Sequence, residues 1–163
     1  MDDLFAPPGS EWRSVSPALA RLRRTLLVGF AVVLVVGVVV LRGMAGLPTW
    51  LLAAAVVVVL AAAGLGWVQI GRNARSWGYA ERDDDLYIKH GVMFRGLVAV
   101  PYGRMQYVDV NAGPLEQLFG VASVHLHTAS PGTSARIPGL PKEEAARLRD
   151  RLTALGEAQA AGL

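Results

Sequence analysis

The chain contains two long stretches without a charged side chain, at residues 25–41 and 43–71. As a helix, the first stretch would rise about 25 Å and residues 47–70 about 36 Å, which brackets a hydrocarbon core of ~30 Å. The pattern therefore predicts a transmembrane hairpin over residues 21–71, with spans at about 25–41 and 47–70.

Basic residues flank this hairpin at both ends. They are Arg13, Arg21, Arg23 and Arg24 before the first span, and Arg72, Arg75 and Arg82 after the second, whereas the connecting loop carries Arg42 alone. The positive-inside rule then predicts a two-span protein of the cell membrane with both termini in the cytoplasm. A cleaved signal peptide is the alternative for the first run, but a long flank that begins with Asp2 and Asp3 precedes it and a second span follows.

After residue 77, apolar residues alternate with polar ones and turn residues interrupt the pattern, which is typical of short antiparallel strands. We predict six strands, at residues 79–82, 86–90, 97–102, 105–110, 122–128 and 135–137. One helical turn is predicted at residues 113–120, and Pro131-Gly132 predicts a β-turn. A final helix is predicted from Pro141, with an apolar stripe of Ala145, Leu148, Leu152 and Leu155. The predicted fold is an antiparallel β-sandwich or barrel with a C-terminal capping helix, over residues 72–156. Residues 1–20 are expected to be disordered and 157–163 to form a flexible tail.

Composition removes several classes of function. There is no cysteine, which excludes disulfides, thiolate metal sites and thiol nucleophiles. From residue 71 onward, 11 Lys and Arg oppose 10 Asp and Glu, a net charge of +1, so the basic excess lies near the membrane and does not indicate nucleic-acid binding. Neither span contains an ionisable residue in its interior, which argues against transport by this chain alone.

Two adjacent segments carry a more specific pattern. Residues 100–110 read V-P-Y-G-R-M-Q-Y-V-D-V, and residues 113–124 read G-P-L-E-Q-L-F-G-V-A-S-V. Together they resemble the bacterial pleckstrin-homology-like (PH-like) domain of YdbS-type membrane proteins, although Met105 stands where isoleucine is usual. The resemblance extends over residues 21–155, because that family also places a two-span hairpin before the domain.

The resemblance implies a PH-like β-sandwich or barrel of about seven strands with a helix at one end. The alternation pattern accounts for six, so a seventh strand is expected within residues 73–81 or 86–102. The resemblance also implies a hetero-complex with a larger membrane protein that carries several such domains.

Two clusters have the composition of a cation site. His125 and His127 leave one face of a predicted strand and could hold a metal if a third ligand converged, but solvent-facing polar side chains are the plainer interpretation. Residues 83–85, three aspartates, could bind a hard cation, although such a run usually forms a solvated turn. No nucleotide loop, nucleophile elbow or zinc-protease motif is present. We therefore expect no enzyme, no cofactor and no metal.

Two further groups are candidates for contact with a partner or with lipid. The basic residues that could face an anionic surface are Arg72, Arg75, Arg82, Lys89, Arg95 and Arg104. Glu81 and the three aspartates oppose them, so weak, non-specific contact with the inner leaflet is expected. An ion pair with Asp109 or Glu116 is the alternative role for Arg104.

The second group, Leu115, Leu118 and Phe119, shares one face of the predicted helical turn. Apolar residues at helical spacing usually pack inward, so we expect these to pack on the barrel, with a partner-docking surface as the alternative.

These expectations favour a membrane-anchored, non-enzymatic scaffold or assembly module at the cytoplasmic face. Its expected partners are another copy of the chain or another PH-like membrane protein, and contact with anionic lipid is expected to be weak. The alternatives are a sensor of a lipid headgroup or small ligand, and an accessory subunit of a membrane transport or envelope-stress complex.

Overall fold

The computed structural model describes residues 11–128 and 134–160, and the chain divides into two compact units. The hairpin unit is Ala20–Arg72, and the sheet unit combines Met1–Leu19 with Asn73–Leu163. Each is described separately.

Two helices form the hairpin unit, α1 (Pro17–Ala45) and α2 (Thr49–Ser76). Both are long and apolar enough to cross a membrane, by length and composition. Each extends beyond its predicted span, because the absence of charge marks only the segment that fits hydrocarbon, whereas the polar flanks continue the helical hydrogen bonding. Gly46, at φ +65°, ends the first helix.

Within the hairpin the helices approach closely. A Cβ atom on Gly66 would lie 3.2 Å from Leu27 Cδ2, so glycine permits this approach. Nearer the helix ends, the Arg24 guanidinium lies 4.6 Å from the centre of the Trp67 ring. The contact lets a basic residue and an interfacial aromatic residue pack together.

Over its described residues, the sheet unit contains β1 (Arg13–Ser14), β2 (Gly78–Glu81), β3 (Asp85–His90), β4 (Gly96–Pro101), a 3-10 turn (Tyr102–Arg104), β5 (Met105–Asn111), α3 (Pro114–Leu118), β6 (Val121–Thr128), β7 (Ala135–Pro141) and α4 (Lys142–Ala160). The strands form two antiparallel sheets, in the order β1-β2-β3-β4 and β5-β6-β7. The predicted fold class is confirmed, and six strands begin within one residue of their predicted positions. The predicted Pro131-Gly132 turn lies outside the described residues.

The seventh strand is β1, and it precedes the membrane hairpin. Arg13 pairs with Tyr79 and Ser14 with Gly78. The prediction that residues 1–20 are disordered is therefore wrong for residues 13–20, and residues 1–10 lie outside the described part. The expectation of the missing strand in 73–81 or 86–102 is also wrong. A two-residue strand shows no alternation, and its partner lies beyond two spans, so local pattern could not reveal it.

The segment after β1 is held as firmly as the strand itself. Val15 and Leu19 are buried in the core, and the Ser16 N–H donates to the Gly139 carbonyl at 2.9 Å. Gly139 has φ +70°, and a Cβ atom there would lie 2.6 Å from Leu19 Cβ. Glycine at this position therefore makes room for the N-terminal segment.

The core lies between the sheets and α4. The predicted apolar stripe is confirmed: Ala145, Leu148 and Leu152 are fully buried, and Leu155 packs against the same cluster. Because α4 continues to Ala160, the predicted tail is wrong for residues 157–160, while 161–163 lie outside the described residues.

Polar contacts of Glu144 join α4 to the first two strands. The Arg147 Nη2 group donates to Glu144 Oε1 at 2.7 Å, and its Nε donates to Glu144 Oε2 at 2.8 Å. Arg13 in β1 donates to Glu144 Oε1 at 3.0 Å, and the Tyr79 hydroxyl in β2 donates to the same oxygen at 2.5 Å. One carboxylate thus connects three elements.

Glu81, at the end of β2, is the second acceptor in this cluster. Arg147 Nη2 also donates to Glu81 Oε1, and Arg151 Nε lies 3.0 Å from Glu81 Oε2. The Glu81 side chain is only 10% exposed, so these guanidinium groups supply the partners that its charge requires. We call Arg13, Tyr79, Glu81, Glu144, Arg147 and Arg151 the Glu81–Glu144 network.

The network shifts the pKa values of its members. Hydrogen bonds from Arg147, with help from Tyr79 and Arg13, lower the pKa of Glu144 from 4.5 to about 2. Burial, followed by the Glu144 hydrogen bond, raises the pKa of Tyr79 to about 12. Hydrogen bonds to Glu144 and Glu81 raise the pKa of Arg147. All three groups therefore keep their hydrogen-bonding charge state at neutral pH.

Gly139→Ala should destabilise the protein more than Gly120→Ala. Both glycines have positive φ, so both variants incur a backbone strain of roughly 1–2 kcal/mol. Only at Gly139 does the new methyl meet Leu19, because nothing lies within 4 Å at Gly120. Thermal unfolding in detergent should show the larger loss for Gly139→Ala, with faster amide exchange at residues 15–19. Equal losses would contradict the packing described.

Glu144→Gln should cost stability that depends on pH. Because the folded-state pKa is lower than 4.5, the ionised carboxylate stabilises the fold above that pH, and the contribution disappears as pH falls toward about 2. We expect about 1 kcal/mol at neutral pH, allowing for solvent screening. The difference in thermal stability from the parent should shrink between pH 5 and pH 2.

Glu143→Gln is the matched control, because Glu143 is exposed and belongs to the same first turn of α4. It removes one negative charge from the helix without removing the acceptor of Arg147. A loss of the same size and pH dependence in the control would mean that the helix dipole, and not the network, accounts for the effect.

Candidate interaction surfaces

The short helix α3 presents two leucines to solvent. Leu118 is 78% exposed and Leu115 is 45% exposed, whereas Phe119 is half-buried. The prediction that the group packs on the barrel is therefore wrong for both leucines. The reason is that this single turn directs Glu116 toward the sheet, which leaves the leucines outward. We call Leu115 and Leu118 the leucine pair.

Glu116 fixes the turn that carries this pair. Its Oε2 accepts the Gly113 N–H at 2.9 Å, and its Oε1 accepts the Ser123 hydroxyl of β6 at 2.9 Å. Arg136 of β7 donates to Ser123 Oγ at 3.0 Å and lies 3.8 Å from Glu116. The leucine pair therefore projects from a turn that is tied to two strands.

Arg104 lies exposed in the 3-10 turn. The ion pairs predicted for it are made by other residues: Asp109 pairs with His127 at 3.3 Å, and Glu116 pairs with Arg136. That alternative for Arg104 is wrong, because the sheet register brings His127 to Asp109, and α3 brings Glu116 to Arg136.

The candidate basic residues do not form one surface. Lys89 pairs with Gly78 and Leu97, at the end of the sheet where β2 begins, and Arg95 directly precedes β4 at the same end. Arg82 follows the other end of β2, and the Tyr102 N–H, two residues before Arg104, donates to the Asp84 carbonyl there. Strands of this length separate the two ends by ~10 Å or more.

Two of the candidate basic residues lie on α2. Arg72 and Arg75 are exposed and three residues apart near the end of that helix, so they share one helix face. Arg104 follows the other end of the sheet, and the structure does not bring it together with Arg75.

The hairpin between β3 and β4 carries the most exposed large apolar side chains among the described residues of the sheet unit. Met93 is 81% exposed and Phe94 is 86% exposed. We call these two residues the hairpin tip. Gly91 has φ +94°, and a Cβ atom there would lie 1.9 Å from the Phe94 carbonyl oxygen, so the tight return requires glycine.

Sequence reasoning identified this hairpin but did not single out its tip. The available signal was an apolar run, Val92-Met93-Phe94, at a position between two glycines where turn residues are usually polar. A hydrophobic segment in a turn has no core to enter, so its composition already indicates a contact outside the domain.

The outer face of the three-stranded sheet is polar and aromatic. The Tyr107 and His127 rings stack at 4.2 Å with an angle of 8° between their planes, and His127 Nε2 lies 3.3 Å from Asp109 Oδ2. His125 lies beside them, and burial, followed by the nearby Arg136 and His127, lowers its pKa. Over the described ranges, no three His, Cys, Asp or Glu side chains converge as a metal site would require.

The three aspartates belong to a structured turn. The Asp85 carbonyl accepts the Arg82 N–H at 3.0 Å, and the Asp84 carbonyl accepts the Tyr102 N–H at 3.1 Å. Asp84 Oδ1 lies 3.5 Å from Gln159 Nε2 of α4. The backbone carbonyls of Asp84 and Asp85 therefore accept hydrogen bonds from the 3-10 turn and from Arg82, and the aspartate side chains lie at this end of the sheet.

A groove of about 180 Å³ lies between β5 and α4, lined among others by Met105, Tyr107, Leu152 and Gly156. Pockets for drug-sized ligands enclose roughly 300–1,000 Å³. The groove therefore has room for one or two side chains and is small for a ligand pocket.

Comparison with known proteins agrees with this architecture. A family model described as Bacterial PH domain matches residues 24–155. The UPF0699 transmembrane protein YdbS of Bacillus subtilis (strain 168) is 38% identical over 79 residues, and the matched region spans 48% of this chain and 48% of that protein. The match thus covers about half the length of this curated relative. No solved structure matches the chain.

The titration of His125 should report the charge on the outer sheet face. Its pKa should lie below the ordinary 6.5, and Arg136→Ala should raise it, although only in part because burial is the largest cause of the shift. NMR titration of the histidine ring protons in detergent measures both values. An unchanged His125 pKa in Arg136→Ala would contradict this account.

Proposed function

We propose that this chain, which belongs to the Bacterial PH domain family, is a membrane-anchored assembly module that docks on another PH-like membrane protein. Support comes chiefly from one observation: the leucine pair is exposed on a turn that Glu116 holds in place. A fixed turn loses little conformational freedom on binding, so even a small apolar contact can contribute.

The size of the surface supports a partner in the same membrane. The area that two leucines on one helical turn can bury is far below the ~1,000 Å² that a stable complex of soluble proteins buries. Two domains anchored in one membrane meet at a high effective concentration, which lets a small interface act. The partner in this proposal is therefore itself membrane-anchored.

The proposed side of the membrane is the cytoplasm. β1 precedes the two apolar helices and β2 follows them, and the pairing of Arg13 with Tyr79 supports the proposal that both flanks of the hairpin lie on one side. The basic residues on these flanks favour the cytoplasmic side. The proposed role is non-enzymatic, because it needs only exposed apolar contacts and a fold that ion pairs stabilise.

A small-ligand sensor receives less support. The groove between β5 and α4 encloses about 180 Å³, less than drug-sized ligands occupy. Assembly through the leucine pair needs no such pocket.

Replacement of the leucine pair should separate the chain from its partner. We expect Leu115→Ser together with Leu118→Ser to reduce recovery of a stoichiometric membrane-protein partner at least about tenfold, since two apolar anchors are lost. The measurement is crosslinking in cells, purification of the full-length chain in mild detergent, and mass spectrometry. Leu118→Met, which keeps an apolar side chain, is the matched control and should retain the partner.

The outcomes distinguish the alternatives. Unchanged recovery with the double variant would contradict docking through α3. A crosslinked dimer that disappears in the double variant would assign the surface to self-association, and the proposal of a different partner protein would fail. Unchanged thermal stability of the double variant establishes that the fold survives.

A further inference from the structure

The hairpin tip has no role in assembly through α3, and its exposure calls for a separate explanation. Met93 and Phe94 are adjacent, and each leaves more than four fifths of its surface in solvent. Neighbouring large apolar side chains at the end of a hairpin are costly in water and mark a contact surface. The question is what covers them.

A hydrogen bond links the base of this hairpin to the last residue of α2. The Gly91 N–H at the base of the hairpin donates to Ser76 Oγ at 3.1 Å, and Ser76 is the last residue of α2. The apolar span ends at Ile70, so only about 9 Å of helix separates its end from Ser76. The headgroup layer on each side of a bilayer is about 5–8 Å thick.

The strand register also places the hairpin at the end of the sheet where β2 begins. β2 starts at Gly78, two residues after α2, and Gly78 pairs with Lys89 just before the hairpin. The Trp77 ring stacks on His90 with centres 5.0 Å apart, which adds a second tie between the helix end and the hairpin. The tip therefore leaves the sheet at the end where the chain arrives from the span.

Basic residues lie at the end of the sheet with the hairpin tip and acidic residues at the opposite end, as contact with an anionic surface requires. Lys89 and Arg95 lie at the end with the hairpin tip, and Arg75 lies one residue before Ser76. The three aspartates at residues 83–85 lie at the opposite end, with Asp83 and Asp84 in the turn between β2 and β3 and Asp85 at the start of β3. An anionic bilayer would attract the first end and repel the second.

Two tryptophans adjoin the same end. Trp77 stacks on His90, and the Trp12 ring lies 4.2 Å from Lys89 Nζ. Both indole N–H groups are buried and have no hydrogen-bond partner among the described residues, so only the aromatic rings bear on this point. Tryptophan concentrates at the membrane–water interface, where an apolar ring and a polar N–H are both accommodated.

We propose that Met93 and Phe94 insert into the interfacial layer of the membrane that anchors this chain, and that Lys89, Arg95 and Arg75 hold this end of the sheet against anionic lipid. The ligand is the bilayer surface and not a single headgroup in a pocket. Because the span already confines the domain to the membrane, a weak insertion suffices. The inference is independent of which protein docks on α3.

The test uses the full-length chain, whose lack of cysteine allows single-site labelling. Met93→Cys, carrying an environment-sensitive fluorophore, is reconstituted in vesicles of phosphatidylethanolamine and phosphatidylglycerol. Asp83→Cys is the matched control, because it labels the hairpin at the opposite end of the same sheet. Phe94→Ser in the Met93→Cys background tests the apolar pair.

The expected result is blue-shifted emission at residue 93 and quenching by nitroxide-labelled lipid at least about twofold stronger than at residue 83, strongest for a shallow nitroxide. Phe94→Ser should abolish the difference, and vesicles of phosphatidylcholine should weaken it. Soluble glycerol phosphate should leave it unchanged; displacement of the label by this anion would show a headgroup site and overturn surface insertion.

Two other results would overturn the inference. Equal quenching at residues 93 and 83 would show that the tip remains in water. Protection of residue 93 from aqueous iodide without quenching by lipid would show that protein, such as a second copy of the chain, covers the tip. Thermal stability of each labelled variant establishes that these readings come from folded protein.

Discussion

The sheet unit depends on the polar contacts between α4 and the first two strands. Glu144 accepts hydrogen bonds from Arg147, Tyr79 and Arg13, so residues from the start, the middle and the end of the chain meet at one carboxylate. Exposed ion pairs contribute little singly, and this cluster acts through its connectivity. It fixes α4 in the position that buries Leu148 and Leu152.

This arrangement explains how a small domain presents two separate surfaces. The core is formed by the two sheets, the N-terminal segment, α4 and Tyr102 of the 3-10 turn, whereas α3 and the hairpin tip contribute no residue to it. One connection, α3, is tied to β6 through Glu116 and holds the leucine pair. Another, the β3–β4 hairpin, is tied to Ser76 at the end of α2. Each connection is anchored at its base and apolar at its tip, as a rigid contact element requires.

Local pattern predicted the strands from β2 onward and the capping helix, because alternation, glycines and the stripe of α4 are encoded within short windows. It could not predict β1, whose two residues pair with a strand that follows two membrane spans. It could not predict the Arg13–Glu144 contact either, which joins residues 131 positions apart. Helical spacing predicts that the leucine pair faces inward, because spacing alone does not show that Glu116 occupies the side facing the sheet.

The position of β1 also bears on the biosynthesis of the protein. Val15 and Leu19 belong to a core whose remaining residues are synthesised only after both apolar helices. The N-terminal segment therefore stays unpaired while the ribosome synthesises the hairpin. It can complete the domain only if the second helix returns the chain to the side of the membrane on which the N-terminal segment lies. Folding of the domain therefore requires that both helices insert, and a chain inserted with one span would keep its N-terminal segment away from the core and leave apolar surface exposed.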